Sequence, residues 1–229
     1  MWSVISSFVV TVAVFLASQR LHQRFRHPLL SPILISPLTL IVLLLTTDTS
    51  YSTYNSGGQW LSKLLEPATV AFAVPLHKHF HLIKKYAMEI VTSIAIGSTV
   101  ALITSTLMAG WAHLNGQMID SLAPRSVTTP VAMNISEALG GVPTLTAVFV
   151  LVTGISGMLL GPTLLRRLPI RNPIATGLFF GMGAHGAGTS RAFEIGELEG
   201  TVSSLSMILA AIASLLIAPW IVPFFEHMV

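Results

Sequence analysis

The residues best suited to chemistry lie in one short stretch. Residues 122–133 read Leu-Ala-Pro-Arg-Ser-Val-Thr-Thr-Pro-Val-Ala-Met: a cation, three hydroxyls and two prolines set among long apolar runs. The Arg125 fork matches a carboxylate or phosphate. Ser126, Thr128 and Thr129 add hydroxyl donors, Asn134 follows just beyond, and a helix starting here would add backbone N–H groups and a favourable dipole. The competing reading is that Arg125 snorkels to external water and caps the segment with Ser126. The adjacent hydroxyl run favours an anion site.

A second group sits in the glycine-rich stretch 173–188, where Gly177, Gly181, Gly183, Gly186 and Gly188 surround His185. An imidazole titrates near neutral pH and suits proton-coupled transport; the alternative is a histidine that only packs. Thr189, Ser190 and Arg191 come next, and Arg191 taken alone reads as an ion pair with Glu194 or Glu197. Glu66, with Pro67 and Thr69, is either a cation or proton site or an interfacial carboxylate. His77, His79 and His81 are spaced by two, which suits no helical metal face. The run Gly-Met-Gly-Ala-His-Gly-Ala-Gly from Gly181 follows no strand and is no dinucleotide fingerprint. No nucleophile–base pair, phosphate loop or zinc pattern is visible, and cysteine is absent. The expectation is therefore no enzyme, no cofactor and no metal.

The elements that must position these groups are membrane helices. Hydrophobic residues make up 52% of the chain and charged residues 9%, where a soluble domain carries about 25% charge; mean hydropathy is +0.76. Several apolar runs are long enough to cross the roughly 30 Å hydrocarbon core. Proline and charge at membrane depth are tolerated only where the segment is buried in protein or lines a wet cavity, because unsatisfied backbone groups in hydrocarbon cost several kcal/mol each. Transporters build their binding sites from such broken segments.

The net charge of +3 is no nucleic-acid footprint. Nine of the twelve Lys and Arg fall in three short loops: Arg20, Arg24, Arg26; Lys78, Lys84, Lys85; and Arg166, Arg167, Arg171. This is the bias of cytoplasmic loops. It predicts spans over 3–19, 29–46, 86–110, 145–165 and 201–225, with polar external loops at 47–60 and 111–121 and a basic internal loop at 77–85. The first apolar run lacks a basic region ahead of it, so a retained span is expected rather than a cleaved signal. Residues 125–140 would then enter and leave on the external side as a re-entrant hairpin. The fold class expected is all-α: one polytopic membrane domain over 1–229, with 6–8 transmembrane segments, two of them broken or re-entrant. Pro67 and Pro124 begin similar segments at an offset of 57, which suggests an inverted repeat of 66–122 with 123–179.

Three motifs carry a family resemblance: Leu-Glu-Pro-Ala-Thr-Val-Ala-Phe-Ala-Val-Pro-Leu (65–76), Pro-Arg-Ser-Val-Thr-Thr-Pro-Val-Ala (124–132) and Ala-His-Gly-Ala-Gly-Thr-Ser-Arg-Ala (184–192). The chain resembles the LrgB/CidB family, whose signatures read close to Pro-Lys-Ser-Val-Thr-Thr-Pro-Ile-Ala and Ala-His-Gly-Ile-Gly-Thr-Ala-Arg-Ala. It departs at Arg125, where Lys is common, and at Ser190, where Ala is usual; Arg keeps the charge but changes the donor geometry. The resemblance implies a multi-pass protein of the bacterial inner membrane, working beside a small holin-like partner of the LrgA/CidA type. It also implies either a carrier for small 2-oxo or 2-hydroxy monocarboxylates, as in relatives that handle pyruvate, glycolate or glycerate, or an antiholin-like regulator of murein hydrolase export and autolysis. A homo-oligomer stays open.

Overall fold

Among the described residues four helices are long and apolar enough to cross a bilayer: Val4–Phe25, Ala87–Trp111, Pro143–Arg167 and Glu197–Glu226. The computed structural model describes residues 2–25, 30–64 and 73–228, which are helices and turns with no strand. The protein is thus a polytopic helical membrane protein. Its helices are α1 (Trp2–Phe25), α2 (Pro32–Thr46), α3 (Tyr51–Lys63), α4 (Ala73–Lys78), α5 (Phe80–Lys85), α6 (Ala87–Trp111), α7 (Gly116–Leu122), α8 (Thr129–Leu139), α9 (Pro143–Arg167), α10 (Pro173–Ile195) and α11 (Glu197–Glu226). They gather into two units, residues 1–73 and 74–229.

In the first unit α1 packs on α3. The sequence reads 47–60 as a polar loop, yet most of it is helical. The reason is tertiary: Gly57 lies directly against the Val4 carbonyl and Ser7 of α1, so a helix too polar to stand alone gains a partner at close range. The Thr11 hydroxyl donates to the Ser7 carbonyl at 2.7 Å, spending its one proton. Tyr54 Oη, 2.8 Å from Thr11 Oγ1, must therefore be the donor of that bond. Tyr54→Phe is expected to lower stability by about 1 kcal/mol, read as a reduced thermal midpoint in detergent; an unchanged midpoint would show that the bond adds nothing.

In the second unit α6, α9 and α11 are the through-going helices, with lipid-facing apolar rows such as Val91, Ile96 and Val100 on α6 and Leu215, Leu216 and Trp220 on α11. Polar groups are inside instead: Ser98, Ser105 and Thr106 of α6 and Ser203, Ser204, Ser206 and Ser214 of α11 are buried. The predicted basic loop at 77–85 is two short helices, and Lys78 Nζ reaches both carboxylate oxygens of Glu197 at 2.8 Å. That pair ties the start of α11 to the basic end of the unit.

Two hairpins fill the space between the through-going helices, one from each end. The first runs through α7, a 3₁₀ turn at Ala123–Ser126 and α8. It closes where Val142 N–H donates to Ser121 Oγ at 2.7 Å, and Gly140, with φ of 105°, makes the left-handed exit that glycine adopts at least cost. This is the re-entrant course expected for 125–140.

The second hairpin is α10. His185, at φ 46° and ψ −126°, breaks the helix, and the chain turns back on itself. On the way in, Gly177 abuts Glu199 and Val202, and Gly181 abuts Ser203 and Ser206. On the way out, Thr189 bonds Ser203 and Phe193 covers Gly200. Both arms thus lie along the same stretch of α11, so α10 enters and leaves at the basic end.

Candidate functional site

The two hairpin tips meet. The first carries Arg125 and Ser126, the second His185, and the imidazole interacts with the Ser126 main chain and the Arg125 charge. Depth follows from helix rise. The inward arm of α10 from Pro173 to Ala184 spans about 18 Å at 1.5 Å per residue, and Ser105, the partner of Arg125, lies about 9 Å from the end of α6. The sum approaches the roughly 30 Å core, which puts the junction inside the membrane.

Arg125 is partly buried, and its Nε donates to Ser105 Oγ at 3.0 Å. Among the described residues no carboxylate pairs with it and no acceptor takes its terminal nitrogens. A guanidinium fork is therefore held in place and left open. Thr128 sits at the N-cap of α8 with no side-chain capping bond. The α8 N-terminus, with Thr128 and Thr129 partly buried, begins just after Ser126 in the chain. The return arm of α10 likewise begins at the tip, just after His185. Two helix N-termini and one guanidinium converge there, an arrangement that favours an anion.

His185 is 4% exposed, and its Nε2 is buried with no hydrogen-bond partner among the described residues. The break that places it is bounded by α9, where Gly157 lies 3.0 Å, measured from an added Cβ, from the Gly183 carbonyl oxygen. Any larger residue at 157 would push the tip out of place.

Other residues singled out from the sequence lie elsewhere. Thr189 is buried but faces α11, 2.9 Å from Ser203 Oγ. Ser190 is exposed and donates to the Gly186 carbonyl. Arg191 pairs with Glu194, the plain ion pair that its spacing allows. Asn134 is exposed on α8. Glu66, Pro67 and Thr69 lie outside the described residues. Ser105, a lone serine in a helix rich in Ser and Thr, carries no distinguishing signal in the sequence; only the Arg125 contact marks it.

At the mouth of the first hairpin, burial and, second, the neighbouring Glu226 carboxylate push the Asp120 carboxyl up to about 6. Because this folded-state value lies above the ordinary carboxylate value of about 3.9, the stability contribution is complete below about pH 4 and lost as pH rises through about 6. Asp120→Asn should flatten that decline and raise the thermal midpoint at pH 7 relative to wild type, measured in detergent between pH 4.5 and 7. Parallel curves for the two proteins would refute the assignment.

The sequence matches the LrgB-like family over residues 11–224. The chain belongs to the LrgB-like family. YwbG of Bacillus subtilis is 50% identical over 96% of this chain and 98% of its own. Holin-like protein CidB of Staphylococcus epidermidis is 34% identical over 95% of each chain. Antiholin-like protein LrgB of Bacillus cereus is 32% identical over 87% of this chain and 89% of its own. No solved structure matches.

Proposed function

We propose that this LrgB-like protein is a carrier for small monocarboxylates of the pyruvate or glycolate kind, seated in the bacterial inner membrane. The observation that carries this reading is the meeting of two opposed hairpin tips around an open guanidinium. Opposed broken segments at mid-membrane suit alternating access, because a small shift of either hairpin uncovers the junction to one side only. The carboxylate is taken by the Arg125 fork, with hydroxyls from Ser126, Thr128 and Thr129 around it. A holin-like partner of the LrgA/CidA type would bind in the same membrane.

The second reading is an antiholin-like regulator of murein hydrolase export and autolysis with no transport of its own. It is favoured by the names holin-like and antiholin-like borne by the relatives. Uptake of labelled pyruvate or glycolate by proteoliposomes holding the purified chain separates the two. Saturable uptake above protein-free vesicles supports the carrier. Absence of uptake for both acids without a partner chain supports the regulator, or a two-component carrier.

A further inference from the structure

The most constrained group at the junction is the imidazole. His185 occupies a positive φ that a non-glycine residue adopts only under strain, and its Nε2 is sealed from water without a partner among the described residues. A packing histidine needs neither feature. The charges that face it decide what it does. α6 carries only Glu89, in its first turn; α8 only Glu137; α9 only Arg166 and Arg167, in its last turn; α11 has none between Gly200 and Phe225. Among the described residues Arg125 is the one charge that acts on the ring. With the guanidinium unpaired, an imidazolium beside it would put two cations in one water-poor junction, so the ring stays neutral. A carboxylate seated on Arg125 cancels that repulsion and accepts a hydrogen bond from the protonated ring. Anion binding and proton binding therefore reinforce each other, and linkage makes the effect reciprocal.

We propose that His185 is the proton-binding site of this carrier, filled together with the carboxylate on Arg125, so that one anion and one proton cross in the same direction. The charges balance: the proton taken up from one side is released to the other with the anion, and the cycle is electroneutral. The inference rests on the carrier reading above and adds the coupling ion and its residue to it.

The test uses the purified chain in proteoliposomes with labelled pyruvate, protein-free vesicles serving as the blank for passive permeation of the acid. With the outside one pH unit more acidic, wild type is expected to accumulate pyruvate about tenfold more than at equal pH, since one proton per anion converts a tenfold proton gradient into a tenfold anion gradient. His185→Gln should cut uptake, and what uptake remains should gain nothing from the gradient. A variant that keeps the tenfold response overturns the proposal. So does a wild-type protein that exchanges pyruvate without responding to the gradient, which leaves the carrier reading standing. A wild type that takes up neither pyruvate nor glycolate overturns the reading of this chain as a carrier by itself, and this inference with it. Should His185→Gln fold poorly, titration of wild type with pyruvate in weakly buffered detergent solution at pH 7 decides. Uptake of about one proton per pyruvate bound supports the proposal, and none overturns it.

Discussion

Replacing Arg125 by Gln is expected to lower the uptake of labelled pyruvate into proteoliposomes by about 100-fold at subsaturating concentration. Hydrogen bonds to a charged partner contribute about 1.5–3 kcal/mol, and each 1.4 kcal/mol is tenfold in affinity; among the described residues the guanidinium fork is the one permanent cation at the junction. Its geometry predicts a graded series. Arg125→Lys keeps the charge and loses the planar fork, so a loss of about tenfold is expected. Ser105→Ala removes the hydroxyl that accepts from Nε; it should weaken uptake less than either, because the charge remains while its orientation loosens. The fold should survive all three, since Arg125 has Ser105 as its hydrogen-bond partner among the described residues and no ion pair to lose. Undiminished uptake by Arg125→Gln, in protein shown to be folded by its elution profile, would remove Arg125 from the site.

The largest stability effect is expected at Gly181. A Cβ there would collide with the Ser203 carbonyl and the Ser206 hydroxyl. The carbonyl belongs to the α11 backbone and cannot rotate aside as a side chain would. Gly181→Val should therefore force α10 away from α11 along the seam that carries the second hairpin. Overpacking of this kind costs about 1–3 kcal/mol, and the upper figure applies where the obstacle is main chain. For a chain of this size that lowers the thermal midpoint by about 10 °C. The same helix supplies its own control: a Cβ at Gly183 meets nothing within 4 Å among the described residues, so Gly183→Ala should leave the midpoint unchanged or raise it. Equal effects at the two positions would show that the close approach at 181 does not limit stability.

The membrane class followed from solvent physics, because hydrocarbon solvates neither charge nor unpaired backbone. Long runs with few charges could only be spans, and α6 and α9 lie within two residues of where the apolar runs place them. The proline pair around Arg125 marked a broken segment for the same reason. Loop charge indicated its entry and exit on one side, and the closure from Ser121 to Val142 follows that course.

Other features depend on contacts between residues far apart in the chain, which no local pattern encodes. The polar stretch at Tyr51–Lys63 is a helix because Gly57 admits α1 at close range. The return of α10 is set by His185, whose residue type gives no warning of a left-handed turn, and by α11, which accepts both arms. Arg191 and Arg125 look alike in sequence; one finds Glu194 on its own helix, whereas the other is left with a serine and an open fork. By itself the sequence determined the solvent and the presence of sheltered polar segments, because those depend on side-chain transfer energies that are nearly additive. Tertiary structure alone decided which of those groups meet, because the pairing of Arg125 with His185 is made by two hairpin tips some sixty residues apart, brought from opposite ends by the packing of α6, α9 and α11.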